Sequence, residues 1–115
     1  MIDRNTASHP AWKFKGEAIS EDEFVDIVQE YCSSFFKIGT PNGYELFLAV
    51  SQKMNKLYPK NASFMGNIGS YWFVGKNNLK KAQSYYKKAL KLDPNDMAAN
   101  RNMKILEKKM AEGKK

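Results

Sequence analysis

His9 and Cys32 are the only histidine and the only cysteine among the 115 residues. They are the natural starting points for nucleophilic or acid–base chemistry near neutral pH. A Cys–His or Ser–His pair requires the base within hydrogen-bond reach of the nucleophile. His9 precedes Pro10 in a stretch with no hydrophobic period, so it would have to fold back over the body of the protein. No such pair is expected. Cys32 falls within an apolar pattern and reads as a small core residue. A lone cysteine forms no internal disulfide, so stability must come from packing. The carboxylates Glu21, Asp22, Glu23, Asp26 and Glu30 resemble a metal cluster only in number. They lack a histidine or cysteine partner and suit the positive end of a helix dipole. The segment "GSYWFVGKN", Gly69–Asn77, carries pieces of a phosphate-binding loop. Five residues rather than four separate Gly69 from Gly75, and Asn77 stands where a hydroxyl would hold magnesium. Asn61-Ala62-Ser63 fits a glycosylation sequon, a pattern short enough to recur by chance. No enzyme activity, metal or cofactor is expected.

Charge is distributed unevenly. The net +7 arises entirely after residue 75: residues 1–75 carry 7 basic and 8 acidic side chains, residues 76–115 carry 12 and 4. Such asymmetry points to an anionic partner without naming one. The longest apolar runs, Leu46–Val50 and Tyr71–Val74, are far short of the roughly 18 residues of a membrane span. The first sixteen residues contain no apolar core of a signal peptide. Richness in lysine, asparagine and tyrosine is compatible with an AT-rich bacterial genome.

The elements that position these residues are helical. Residues 1–19 read as extended or irregular, with Trp12 and Phe14 expected to pack back on the body. Ser20 with Glu23 three residues on forms a capping box. Phe24, Ile27, Val28, Tyr31, Phe35 and Ile38 follow at helical spacing, and Gly39 with "TPNG" ends that helix. Further helices are expected at about 44–58, 62–75, 79–92 and 96–110. No segment alternates convincingly with period two, so no sheet is expected. In the fourth helix Ala82, Tyr85, Tyr86, Ala89 and Leu90 share one face, and Lys80, Lys81, Lys87, Lys88 and Lys91 lie opposite. These lysines fit a plain solvated face or a specific anion-binding one.

The chain repeats. "KLYPKN" (56–61) matches "KLDPND" (91–96) at an offset of 35, pairing Phe47 with Ala82 and Met54 with Ala89. "YCSSFFKIG" (31–39) matches "IGSYWFVGK" (68–76) at an offset of 37, pairing Cys32 with Gly69, Phe35 with Trp72 and Phe36 with Phe73. A longer first hairpin turn, "GTPNG", is expected to absorb the difference. Residues 62–96 resemble a tetratricopeptide repeat. Gly69 and Trp72 in the first helix, and Ala82, Tyr86, Ala89 and Pro94 after it, match the family's small, aromatic and helix-stopping positions. The turn "GKNNL" is one residue longer than usual, with asparagine where glycine is common. Residues 20–61 form a degenerate copy, with Phe47 at a normally small position and Ser51 at a normally aromatic one.

The resemblance implies an all-α, right-handed array of about five helices. It comprises an irregular segment 1–19, repeats at 20–61 and 62–96, and a capping helix and tail at 97–115. It also implies that the first helices of the repeats line a surface for a protein or peptide. On that pattern the groove consists of Gln29, Ser33, Phe36 and Lys37, then Asn67, Ser70 and Phe73, then Arg101 and Lys108. Phe36 and Phe73 fit ordinary interhelix packing equally well. The alternative function is electrostatic attraction of nucleic acid or an acidic surface to the basic last third. Nucleic acid is nonetheless not the expected partner, and base stacking is not expected, because the aromatics and the lysines fall on different faces. Weak self-association through uncovered helix faces at the array ends is a further expectation.

Overall fold

The structure, a computed structural model, describes residues 13–14, 17–18 and 20–113. It is all-helical, with five helices: α1 (Glu21–Ile38), α2 (Pro41–Leu57), α3 (Ala62–Ser70, continued by a π-helical turn over Tyr71–Gly75), α4 (Leu79–Leu92) and α5 (Met97–Glu112). The helical expectation holds element by element, as does the overall class. One departure precedes α1. Two-residue strands, β1 (Lys13–Phe14) and β2 (Glu17–Ala18), pair antiparallel, with Lys13 opposite Ala18. A period of two has no room to show itself in two residues. The expectations for His9 and Trp12 lie outside the described residues.

Each helix begins where a side chain can satisfy its exposed N–H groups. Ser20 accepts from the Glu23 N–H at 3.2 Å and Thr40 from Gly43 at 3.1 Å. Asn61 accepts from Ser63 at 2.9 Å, Asn78 from Lys81 at 3.1 Å and Asp96 from Ala99 at 2.9 Å. Thr40 corrects the reading of "GTPNG" as a long turn. Gly39, at φ +71°, ends α1 in the left-handed region, Thr40 caps α2, and Pro41 already occupies its first turn. The two extra residues of the first hairpin therefore lengthen α2 rather than its turn. The second turn reverses through Asn77, at φ 51° the one non-glycine residue with positive φ among those described.

Neighbouring helices pack in chain order, and α3 also touches α5. Helices α1, α3 and α5 form one layer, and α2 and α4 form the other. This arrangement is compatible with a helical repeat. Its centre is α3, which carries no charged residue and buries Ala62, Phe64, Asn67, Ile68 and Gly69. Two crossings in equivalent places are built from opposite volumes. Tyr86 of α4 lies against Gly69, where an added Cβ would fall 2.9 Å from its ring. At the matching crossing of α1 and α2, Cys32 faces Ser51, and both are fully buried. Phe47, at the position of Ala82, supplies the bulk that Ser51 lacks and packs with Cys32 and Tyr71.

The π turn matters to this packing. Tyr71 joins the cluster of Cys32 and Phe47, Phe73 joins that of Ala82, Tyr86 and Leu106, and Trp72 touches both. Three consecutive aromatics on an α-helix spread over about 200°. The wider π winding narrows that spread, so all three reach apolar surroundings.

Two glycines should respond in opposite directions. Gly66→Ala places its Cβ in open space and should stabilise the fold by about 0.5–1 kcal/mol through helix propensity. Gly69→Ala drives a methyl into Tyr86 and should cost about 1–3 kcal/mol. Urea unfolding of both variants measures the difference; equal effects would show that the α3–α4 crossing is not close-packed.

Candidate functional site

The nine residues expected to line a groove divide into three groups. Gln29 and Asn67 are joined to each other. Gln29 Nε2 donates to Asn67 Oδ1 at 3.1 Å, and Asn67 Nδ2 donates to Gln29 Oε1 at 2.7 Å. Asn67 Nδ2 also donates to Ser51 Oγ at 3.2 Å, and the Ser51 hydroxyl donates to Cys32 Sγ at 3.8 Å. The result is a polar chain through α1, α2 and α3. Asn67 is buried and spends its amide on this chain. Burial pushes the Cys32 thiol above its ordinary range, and the Ser51 hydroxyl pulls only partly the other way. Burial and this direction of shift both suit a core thiol.

Phe36, Ser70 and Phe73 form the second group, each half-buried. Phe36 packs against Phe47 and Tyr44, with ring centroids 4.8 and 5.6 Å apart. Ser70 Oγ lies 2.8 Å from the Tyr86 hydroxyl. Phe73 rests on the α4–α5 cluster with Lys109 Nζ 5.9 Å above its ring. Interhelix packing thus accounts for both phenylalanines. The third group, Ser33, Lys37, Arg101 and Lys108, is exposed.

Offsets of 37 and then 35 residues make positions of α1, α3 and α5 equivalent in sequence. One equivalent set is Gln29, Gly66 and Arg101; the next is Ser33, Ser70 and Ile105; the third is Phe36, Phe73 and Lys108. Gly66 leaves bare helix backbone at the centre, with nothing within 4 Å of a Cβ built on it.

Several chemically distinctive contacts escaped the sequence reading. The Tyr71 hydroxyl donates to the Glu45 carboxylate beside a pocket of about 240 Å³ that includes Tyr44 and Lys76. Burial, and then the neighbouring carboxylate, push the Tyr71 hydroxyl up to about 12. Tyr86 is raised by burial as well, with its Ser70 partner opposing. Lysines and aromatics do not keep to separate faces, contrary to expectation. Lys81 Nζ stands 3.9 Å from the Trp72 ring centroid, and Lys88 Nζ stands 4.9 Å from that of Tyr85. Trp72 and Lys81 lie on different helices, so only the crossing of α3 and α4 brings them together. Tyr85 lines a groove between α2 and α4 with Lys53, Asn55 and Lys56. Among the described residues no group of three or more His, Cys, Asp or Glu could hold a metal ion, and no helix is long and apolar enough to cross a membrane.

No family model matches this sequence, and no curated protein is detectably similar to it.

The Tyr71 shift predicts a specific alkaline response. A hydroxyl raised in the fold adds stability that is intact below about pH 10 and is lost as pH rises towards about 12. Tyrosinate absorbance should show late-ionising groups, one fewer of them in Tyr71→Phe, and the variant should lose less stability over that window. Asn67→Ala, which strands Gln29 and removes a donor from Ser51, should cost about 1–3 kcal/mol by urea unfolding. A neutral result would mean water replaces the amide without loss.

Proposed function

We propose that the chain is a tetratricopeptide-like, non-enzymatic binding module that takes a protein or peptide on the layer formed by α1, α3 and α5. The observation that carries this reading is the repetition of surface positions across those three helices. Ser33 and Ser70 occupy the same place one repeat apart, and Gly66 leaves the central backbone uncovered between Gln29 and Arg101. An extended peptide needs such a strip, on which small and polar side chains let it approach closely. Lys37, Arg101 and Lys108 supply exposed cations beside the strip, which favours a segment with acidic character.

Two features support the repeat assignment. The residue by which "GKNNL" exceeds the usual tetratricopeptide turn has a place to go, because a π turn consumes nearly one more residue than an α turn. Asn77 takes the left-handed conformation that glycine usually provides. Both are local adjustments that leave the helix crossings intact.

Selection from a displayed peptide library tests this reading. Acidic peptides should be recovered. Gly66→Arg, which fills the strip without touching the core, should weaken them at least tenfold while helicity is unchanged. Phe73 is unsuitable for this purpose, since its replacement by a charge would disrupt the α4–α5 cluster. Failure to recover any peptide, or binding untouched by Gly66→Arg in a folded protein, would reject the assignment.

A further inference from the structure

We propose that the second layer, α2 and α4, docks single-stranded nucleic acid along the groove between these helices. Charge gives the first argument. The two helices carry seven lysines and a single carboxylate, Glu45, which accepts the Tyr71 hydroxyl. By contrast α1 alone has five carboxylates and one lysine. An amphipathic helix needs a polar outer face but not one of a single sign. Lys87 and Lys91, one turn apart, repel each other and weaken α4 slightly. Surfaces shaped only for solubility mix both signs. This basic layer does not coincide with the basic last third of the chain, because Lys53 and Lys56 come from the first half.

The groove gives the second argument. It has a volume of about 510 Å³ and is lined by Gln52, Lys53, Asn55, Lys56, Ile68 and Tyr85, without a carboxylate. Its lysines suit an anion, and its aromatic ring and the Gln52 amide suit a flat polar group. A nucleotide chain carries both, as phosphates and as bases.

Tyr85 gives the third argument. Its half-buried ring lies in the groove with Lys88 Nζ 4.9 Å from its centroid. An aromatic face beside cations is the arrangement that holds a base and its phosphate together without reading sequence. From Lys80 to Lys91 the basic stripe on α4 runs for about 16 Å of helix, enough for a short run of nucleotides. An anionic bilayer would meet the exposed lysines but would not enter the groove to reach the Tyr85 ring.

Fluorescence anisotropy of the full chain with fluorescein-labelled oligothymidylate and oligouridylate, each longer than the roughly 4–16 nucleotides of a single-strand site, provides the test. Both should bind at low salt, with log affinity falling against log salt by about 0.7 for each phosphate engaged. Lys53→Gln with Lys56→Gln should weaken binding and reduce that slope by about 1.4. Lys104→Gln with Lys108→Gln removes the same charge from α5 and should leave binding unchanged. Tyr85→Leu should lower affinity about five-fold or more, while Tyr85→Phe preserves it. Gly66→Arg should have no effect, which separates this surface from the peptide strip. Equal losses from the two lysine pairs, an inert Tyr85→Leu, or tighter binding to phosphatidylserine–phosphatidylcholine vesicles than to either oligonucleotide would overturn the proposal.

Discussion

The contact between Gly69 and Tyr86 is the constraint on which the rest of the structure depends. The absent side chain at 69 lets α4 come close enough for the Tyr86 ring to be buried and for its hydroxyl to reach Ser70. Helix α3 has no charged residue, so it must be covered on several sides at once. α4 and α5 cover one flank and α1 and α2 the other. The first crossing reaches a similar end with different volumes: Cys32 and Ser51 make a small pair, and Phe47 fills beside them. The two crossings therefore use complementary side-chain sizes.

Polar order is laid over this packing. The amides of Gln29 and Asn67 satisfy each other across α1 and α3, and Ser51 carries the chain to Cys32. Such a network fixes the register of three helices, because a one-residue slip would strand several buried groups. It also removes two residues from the set free to meet a ligand. What remains accessible on that layer is Ser33, Lys37, the bare backbone at Gly66, and the cations of α5. The two layers thus present different chemistry to solvent: a strip of small and polar positions on one, and lysines around an aromatic groove on the other.

Helix boundaries were legible because they rest on local chemistry. Ser20 and Glu23 announced the start of α1, and proline and aspartate marked the ends of α2 and α4. Thr40-Pro41 was the exception. Threonine as a cap followed by proline in the first turn is also a helix-start signal, but the run "GTPNG" reads first as a loop. The π turn left no mark in hydrophobic period, since it depends on where Tyr71, Trp72 and Phe73 each find apolar neighbours.

By itself the sequence determined the class, the number of helices and the near-35-residue spacing of its matching segments. These follow from spacing, capping and residue type, all of which act within a few turns of chain. Tertiary structure alone decided which side chains are spent inside and which are left for a ligand. Asn67 and Gln29 are 38 residues apart, Trp72 and Lys81 lie on different helices, and Lys53 and Tyr85 share a groove only because α2 and α4 flank it. Helical periodicity gives the face of each helix but not the partner that face meets, and in this protein the partner determines both burial and charge.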